Sequence, residues 1–380
     1  MSDLDKFKKI IKSSSTKKSF KKYSKREIIS KLSLKYNKND KGEYFTKKYS
    51  YQQKFPEKLK YTQKLDKKLY GSEISIRDLI FFDLETTSLS LGAGNYPFLI
   101  GIGFLKNKKF VIKQFLYSEM GSENAIIDEL KSYIKDKVFV TYNGKCFDIP
   151  LLKNRLLINS TKYSAKKKSI DLLYIMRRLF KYKLKKFDLQ TVSAYLNTAR
   201  DKYIDIHGSE IPKVFKDYIH FGEIKDMKKV LYHNERDIFS LFKMLKFIEF
   251  EHNSYSSDKK LILGIIEYEL LSNKYFLLKN INHDKFLKKD NINYKILKNI
   301  IIYYKRQKKW EKVENIILKS LKVFTQNLFL IKEITKVYYL RLKKYKKAVI
   351  YATTGYKIAS KYGLNNEKKY YLKIINRYKS

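Results

Sequence analysis

With a single cysteine, Cys146, the chain has no internal disulfide framework and no cysteine-based zinc cluster. Long apolar runs are missing too. Nothing approaches the ~18–20 uninterrupted apolar residues of a membrane span. The N-terminus has lysines but no apolar stretch followed by small residues, so no secretory signal is expected. These absences point to a cytoplasmic protein with no membrane partner. Acidic residues are scarce, 38 Asp+Glu against 83 Lys+Arg, leaving a formal charge of +45 over 380 residues. Hydrophobic residues at 44% and aromatics at 15% exclude a disordered chain and allow two sizeable cores.

A field of that sign attracts polyanions and makes binding salt-dependent. Lys, Asn, Ile and Tyr are also what an AT-biased genome supplies, so charge alone does not name nucleic acid as the partner. Residues 1–70 hold 22 Lys+Arg against 7 Asp+Glu, with Ser-Ser-Ser, repeated Lys-Lys pairs and little apolar periodicity. They read as a basic, partly ordered extension.

Order begins near Arg77. Leu79-Ile80-Phe81-Phe82 is a short apolar run typical of a buried strand. A turn at Gly92, Gly94 and Asn95 leads to strands over Phe98–Leu105 and Phe110–Tyr117. Residues 123–135 have helical spacing, Val138-Phe139-Val140 is a further strand, and helical patterns dominate from Ile149 onward. Three hairpin-linked strands, then helix, strand and helices, predict an α/β domain over 71–254: a mixed sheet flanked by helices.

An all-α tail is expected over 258–380. Within it Tyr303-Tyr304-x-Arg306-x-Lys308-Lys309-Trp310-x-Lys312-Val313 recurs as Tyr338-Tyr339-x-Arg341-x-Lys343-Lys344-Tyr345-x-Lys347-Ala348, a spacing of 35. A fainter copy holds Tyr268, Lys274, Tyr275 and Leu278. The period is close to that of tetratricopeptide-type helical hairpins, although their consensus Gly and Pro are missing. Two or three divergent repeats, with a protein partner for the tail, are the expectation.

Three segments carry carboxylates in suggestive settings. Asp83 and Glu85 stand two apart at the end of the first apolar run, which puts both side chains on one face of a strand. Paired carboxylates there repel unless protonated or bridged by cations, and hard oxygen donors suit Mg²⁺ or Mn²⁺. Asp148 follows the strand-to-turn segment Thr141-Tyr142-Asn143-Gly144, at a helix start. Asp237 follows Tyr232-His233-Asn234 at the head of an amphipathic helix, where His233, four residues before it, shares its face. Each alone has an ordinary explanation, as a strand cap, a helix-start acid or a solvated histidine.

Together they resemble the ribonuclease H-like nucleases of the DEDD class, and in particular the bacterial YprB-type ribonuclease H-like domain. The matching stretches, within residues 78–250, are Phe82-Asp83-Leu84-Glu85-Thr86-Thr87, Phe98-Leu99-Ile100-Gly101, Thr141 to Lys145 with Phe147-Asp148, Asp171-Leu172-Leu173, and His233-Asn234 with Asp237. The resemblance implies a ribonuclease H-like fold and a 3′-to-5′ exonuclease that hydrolyses single-stranded DNA or RNA with two Mg²⁺ or Mn²⁺ ions. Asp83 would bridge the two ions, Glu85 and Asp237 would complete one site, and Asp148 would reach the other. Thr86, Tyr142, Asn143 and Gly144 would contact substrate. The class places a Tyr four residues, or a His five residues, before its last Asp as the group that orients or deprotonates water. Here His233 is at minus four and Tyr232 at minus five, so His233 takes that role by helical geometry and by a reference pKa of ~6.5. Ser88 stands where the family usually has Gly, and Asp171 matches a family position that is equally a helix-start acid. The alternative is a catalytically weak or inactive nucleic-acid-binding module whose tail recruits protein partners.

Overall fold

The computed structural model describes residues 23–55, 59, 74–88, 94–159, 169–251, 258–273, 275 and 277–378. They fall in two compact units, one within Met1–Leu173 and Phe187–Glu249, the other within Tyr174–Lys186 and Phe250–Ser380. Among the described residues no helix is long and apolar enough to cross a membrane.

The first unit is built on β1 (Lys35–Asn39), β2 (Gly42–Gln52), β3 (Leu79–Thr86), β4 (Pro97–Lys106), β5 (Lys109–Tyr117), β6 (Val138–Thr141) and β7 (Ser169–Asp171). They form one mixed sheet in the order β1-β2-β5-β4-β3-β6-β7. β1 to β5 pair antiparallel in that order, while β6 and β7 run parallel to β3. The helices of this segment are α1 (Lys25–Leu32), α2 (Glu123–Ile134), α3 (Asp148–Ile158), α4 (Leu172–Leu179), which from Tyr174 onward is counted with the second unit, α5 (Leu189–Tyr195), α6 (Ile211–Phe221) and α7 (Met227–Lys246). This is the ribonuclease H-like sheet-and-helix architecture that the strand pattern and the resemblance predict.

The expected basic extension over 1–70 does not hold for residues 25–52, which supply α1 and two strands of the sheet. In β2 the buried run Tyr44-Phe45-Thr46 is followed by exposed and half-buried positions rich in Lys, Ser and Tyr, so the apolar signal is confined to three residues. Residues 1–22, 56–58 and 60–70 of that expectation lie outside the described residues.

Alternation along β3 sends Ile80, Phe82 and Leu84 to one face and Phe81, Asp83 and Glu85 to the other. On the first face Phe82 meets Phe139 edge-on and α2 covers the sheet, with Glu129 bonded to both Tyr44 and Lys113. On the second lies α7. Its Phe242 stacks on Phe110 with ring centroids 4.2 Å apart and meets Phe81 edge-on at 5.8 Å. Further along the helix Glu235 accepts from the Tyr51 hydroxyl at 2.5 Å, which fastens β2 to the same helix.

The helix can lie this close because β4 presents glycines beneath it. A Cβ on Gly101 would fall 2.2 Å from Asn234 Oδ1 and 2.3 Å from Ile238 Cδ1. One on Gly103 would fall 2.7 Å from Ile238 Cγ2. Gly101 is paired in register with Asp83, so the contact that seats α7 is next to the first carboxylate.

The second unit is helical: α8 (Lys259–Ser272), α9 (Leu277–Asn280), α10 (Asn291–Arg306), α11 (Trp310–Val323), α12 (Leu328–Lys336), α13 (Tyr345–Lys361) and α14 (Asn365–Tyr378). Asn273, Lys308 and Lys343 each adopt the left-handed conformation, with φ of 53°, 55° and 55°, and each lies in the turn that ends the first helix of a pair. They are 35 residues apart, the spacing of the Tyr- and Lys-rich sequence pattern.

Candidate active site

β3 fixes Asp83 and Glu85 on the face under α7, and α7 brings Asn234 and Asp237 down to them. Asn234 Nδ2 donates to Asp83 Oδ2 at 2.7 Å. The same amide is held from behind, its Oδ1 accepting from Gln114 Nε2 at 2.9 Å, while Gln114 also donates to the Leu231 carbonyl. Both Asn234 and Gln114 are fully buried, so this chain of amides orients Asp83 without competition from water.

Asp148 is the first residue of α3 and reaches the cluster from β6 through the loop 142–147. That loop is shaped by Asp171. Its carboxylate accepts the backbone N–H of Asn143 at 2.8 Å and of Lys145 at 3.3 Å, and also caps α4 through the N–H of Leu173. Asn143 is in the left-handed region at φ 60°. A Cβ on the buried Gly144 would lie 2.5 Å from Thr141 Cβ, so the turn closes tightly on its own strand. Asp171 therefore both starts a helix and ties the loop that presents Asp148.

A second set of partners meets Asp237. Arg200 Nε lies 3.2 Å from Asp237 Oδ1, and its Nη1 lies 3.2 Å from Asp205 Oδ2. His233 is buried, with Nδ1 2.9 Å from Asp205 Oδ1 and 3.0 Å from the Ile206 carbonyl. Its Nε2 is 3.5 Å from Asp237 Oδ2 and 2.7 Å from Arg200 Nη1. Asp205 and the Ile206 carbonyl call for the imidazole proton on Nδ1, and Nε2 then accepts from Arg200 Nη1, which lies against Nδ1 as well. Tyr232 is spent elsewhere: its hydroxyl accepts the backbone N–H of Asp201 at 2.9 Å. Arg200, Asp205 and His233 also line an open cleft of about 510 Å³, together with Lys202 and His207.

The electrostatics follow from crowding. Burial, then the charges of Asp237 and Asp148, hold the Asp83 carboxyl well above its usual range. Burial and the nearby Asp83 do the same to Glu85. Both residues keep an edge toward solvent, but their carboxyl groups are hemmed in by protein atoms. Burial pushes Asp148 up to about 7, although its own backbone N–H and that of Leu84 work against the rise. Burial raises Asp237 too, less freely, because His233 and Arg200 oppose it. Asp205 differs: burial favours its protonated form, but the His233 hydrogen bond and the Arg200 charge outweigh it and hold the carboxyl low.

Four carboxylates from three separate segments thus share one buried region, and oxygen donors alone make up the set, which is the ligand chemistry of Mg²⁺ and Mn²⁺. Mutual repulsion of this kind is relieved by a multivalent cation, so the residues fit the ions that the resemblance implies. As the side chains stand, the positive charge comes from Arg200. Among the described residues, no three His, Cys, Asp or Glu side chains are drawn together closely enough to hold a metal ion.

The residues expected to contact substrate are placed differently from one another. Thr86 is buried, and its hydroxyl donates to the Ser88 carbonyl at 2.6 Å, closing the turn beyond β3. The Tyr142 hydroxyl donates to the Phe187 carbonyl at 2.6 Å. Asn143 is exposed and Gly144 is buried under it. Arg200, Asp205 and Gln114 escape the sequence reading altogether, and Asn234 enters it only as part of a motif. Arg200 and Asp205 lie in a stretch of turns without periodicity, which gives no pattern to read. Gln114 is a polar residue inside an apolar strand, and that contrast is the one signal available.

Over 169 residues, 44% of this chain, the sequence is 36% identical to a Bacillus subtilis (strain 168) protein described as uncharacterized protein YprB. The alignment covers 41% of that protein, so the chain spans well under two thirds of its relative's length. A family model described as the RNase_H superfamily matches residues 80–249, a little under half of the chain, from the second residue of β3 to just past α7, and this segment is similar to the domains of that superfamily.

Proposed function

We propose that the chain is a divalent-metal-dependent nuclease, acting as a 3′-to-5′ exonuclease on single-stranded DNA or RNA. One observation carries the reading: Asp83, Glu85, Asp148 and Asp237, from a strand and two helices far apart in sequence, bring their carboxyl groups, shielded by protein atoms, within electrostatic reach of one another in a protein of net charge +45. A structural role gives no reason to bury four anions together, because desolvation and repulsion both oppose it.

Asp83, Glu85, Asp148 and Asp237 would hold Mg²⁺ or Mn²⁺, whose chemistry is to activate water and stabilise the leaving oxygen of a phosphodiester. The chain's own groups do the rest. Asn234 keeps Asp83 Oδ2 aimed into the cluster. His233, with Nδ1 anchored on Asp205 and the Ile206 carbonyl, offers Nε2 as the acceptor for a proton of water once Arg200 Nη1 has left that nitrogen, and Asp205 steadies the imidazolium that results. Arg200 must part from Asp237 when a cation binds that carboxylate, since both claim the same oxygens. The helical tail is read as divergent tetratricopeptide-like hairpins.

A second reading is a nucleic-acid-binding module with weak or no catalysis, its tail recruiting protein partners. The ion pair of Arg200 with Asp237 favours it, because a fixed cation there leaves less need for a metal. One experiment separates the two: end-labelled single-stranded DNA and RNA incubated with Mg²⁺, Mn²⁺ or EDTA, using wild type and Asp83→Asn. The nuclease reading expects metal-dependent shortening that Asp83→Asn nearly abolishes, with binding in Ca²⁺ kept within a few-fold. Binding without cutting supports the module, and full activity in Asp83→Asn rejects the catalytic assignment.

A further inference from the structure

The three left-handed turns of the helical unit lie side by side. Arg306, beside the second turn, reaches back to the first, with Nη1 2.5 Å from the Leu270 carbonyl and 3.4 Å from Asn273 Oδ1. Arg341, beside the third, reaches back to the second, its guanidinium 4.9 Å above the Trp310 ring. Each turn is thus fastened to the one before it by an arginine, and the row forms one edge of the unit.

That edge is almost uniformly basic. Residues 306–312 and 341–347 together contain nine Lys and Arg and one acid, Glu311. All nine are exposed. Lys344 is neutralised by Glu314 at 3.1 Å. Lys308, Lys309, Lys343 and Lys346 have no acidic partner among the described residues. Lys308 and Lys343 hold the left-handed positions themselves, which projects them at matching places in successive turns.

We propose that this edge is a docking surface for the phosphate backbone of single-stranded nucleic acid. A repeated row of free ammonium groups matches a chain of evenly spaced phosphates and reads no bases. A protein partner fits less well, because stable protein interfaces have a desolvated apolar centre. The aromatic rings on this edge are already occupied: Trp310 lies under Arg341, and Tyr345 stacks on Tyr378 at 4.5 Å. The surface is argued from the tail alone; the choice of nucleic acid over another polyanion rests on the nuclease reading.

The test is fluorescence anisotropy with a labelled single-stranded oligonucleotide and the full-length chain in EDTA. The variant is Lys308→Gln, Lys309→Gln, Lys343→Gln and Lys346→Gln combined. A control removes equal charge elsewhere on the unit, through Lys357→Gln, Lys361→Gln, Lys369→Gln and Lys373→Gln. Circular dichroism checks that both keep their helices. The edge variant should lose about tenfold or more in affinity, and its salt dependence should flatten by roughly 3 in log–log slope, at ~0.7 per lost phosphate contact. The control should change less than about threefold. Equal losses in both variants, or none in the edge variant, overturn the proposal. Polyglutamate bound as tightly as the oligonucleotide, with the same loss, would reassign the edge to an acidic protein. Cleavage in Mn²⁺ is scored separately on the same proteins: a chain that binds through this edge but never cuts keeps the docking surface and loses the nuclease reading.

Discussion

Asn234 on α7 donates its side-chain amide to Asp83 on β3 at 2.7 Å, and the bond joins the helix to the first carboxylate of the cluster. Removing it strands Asp83 Oδ2 and one N–H of the Gln114 amide behind, whose other bond to the Leu231 carbonyl remains. Asn234→Ala should therefore cost roughly 1–3 kcal/mol of stability. It should weaken Mn²⁺ binding as well, since Asp83 is left free to rotate. Urea unfolding and calorimetric titration measure the two effects, and an unchanged affinity would mean that Asp83 is held by something else.

Gly101→Ala asks whether the seat of α7 is as tight as the geometry says. The new methyl would fall 2.2 Å from Asn234 Oδ1, a distance no packed pair tolerates, so helix or strand must yield. Overpacking of this kind costs about 1–3 kcal/mol. The displaced helix carries Asp237, so cleavage should fall by more than the stability loss explains. A variant that melts lower yet cuts normally would show that the site tolerates the shift.

Arg200→Gln tests the internal cation. With the guanidinium gone, Asp237, Asp83 and Glu85 all lose a charge that eases their ionisation. The metal-free protein should melt at a lower temperature. Mn²⁺ should bind several-fold more tightly because it no longer competes for Asp237. Weaker Mn²⁺ binding would instead make Arg200 a support of the site.

Asp148 carries a pH dependence whose sign can be worked out. Its folded carboxyl is near 7, whereas an unfolded aspartate titrates near ~3.9. Between those values the folded state holds the extra proton, so stability falls as pH rises from about 4 to about 7 and levels off above. The whole effect is at most roughly 4 kcal/mol. Asp148→Asn cannot titrate, so its advantage over wild type in EDTA should grow across that window and shrink when Mn²⁺ is added. Parallel melting curves for the two proteins would remove the effect.

Much of the sheet was legible because β3, β4 and β5 are apolar on both faces, and a run such as Ile80-Phe81-Phe82 has few other homes. Asp83 and Glu85 could be placed on one face from strand periodicity alone. β1 and β2 were not legible, since only Tyr44, Phe45 and Thr46 of the longer strand are buried together and lysines fill much of the rest. A glycine such as Gly101 is visible in the sequence, but what descends onto it is not. The same holds for Arg200 and Asp205, whose meaning comes entirely from long-range contacts. The bond of the Thr86 hydroxyl to its own turn is equally silent in the sequence, because the motif gives the residue but not its partner.

The two ends of the sheet have a consequence for how the protein behaves in a crowd. At one margin β1 is five residues long, with lysines at 35 and 38; at the other β7 has three residues. An open ladder of backbone groups invites another chain to add a strand, and short, charged margins discourage it. At high concentration, copies of this protein have little to gain from joining edge to edge along these two margins.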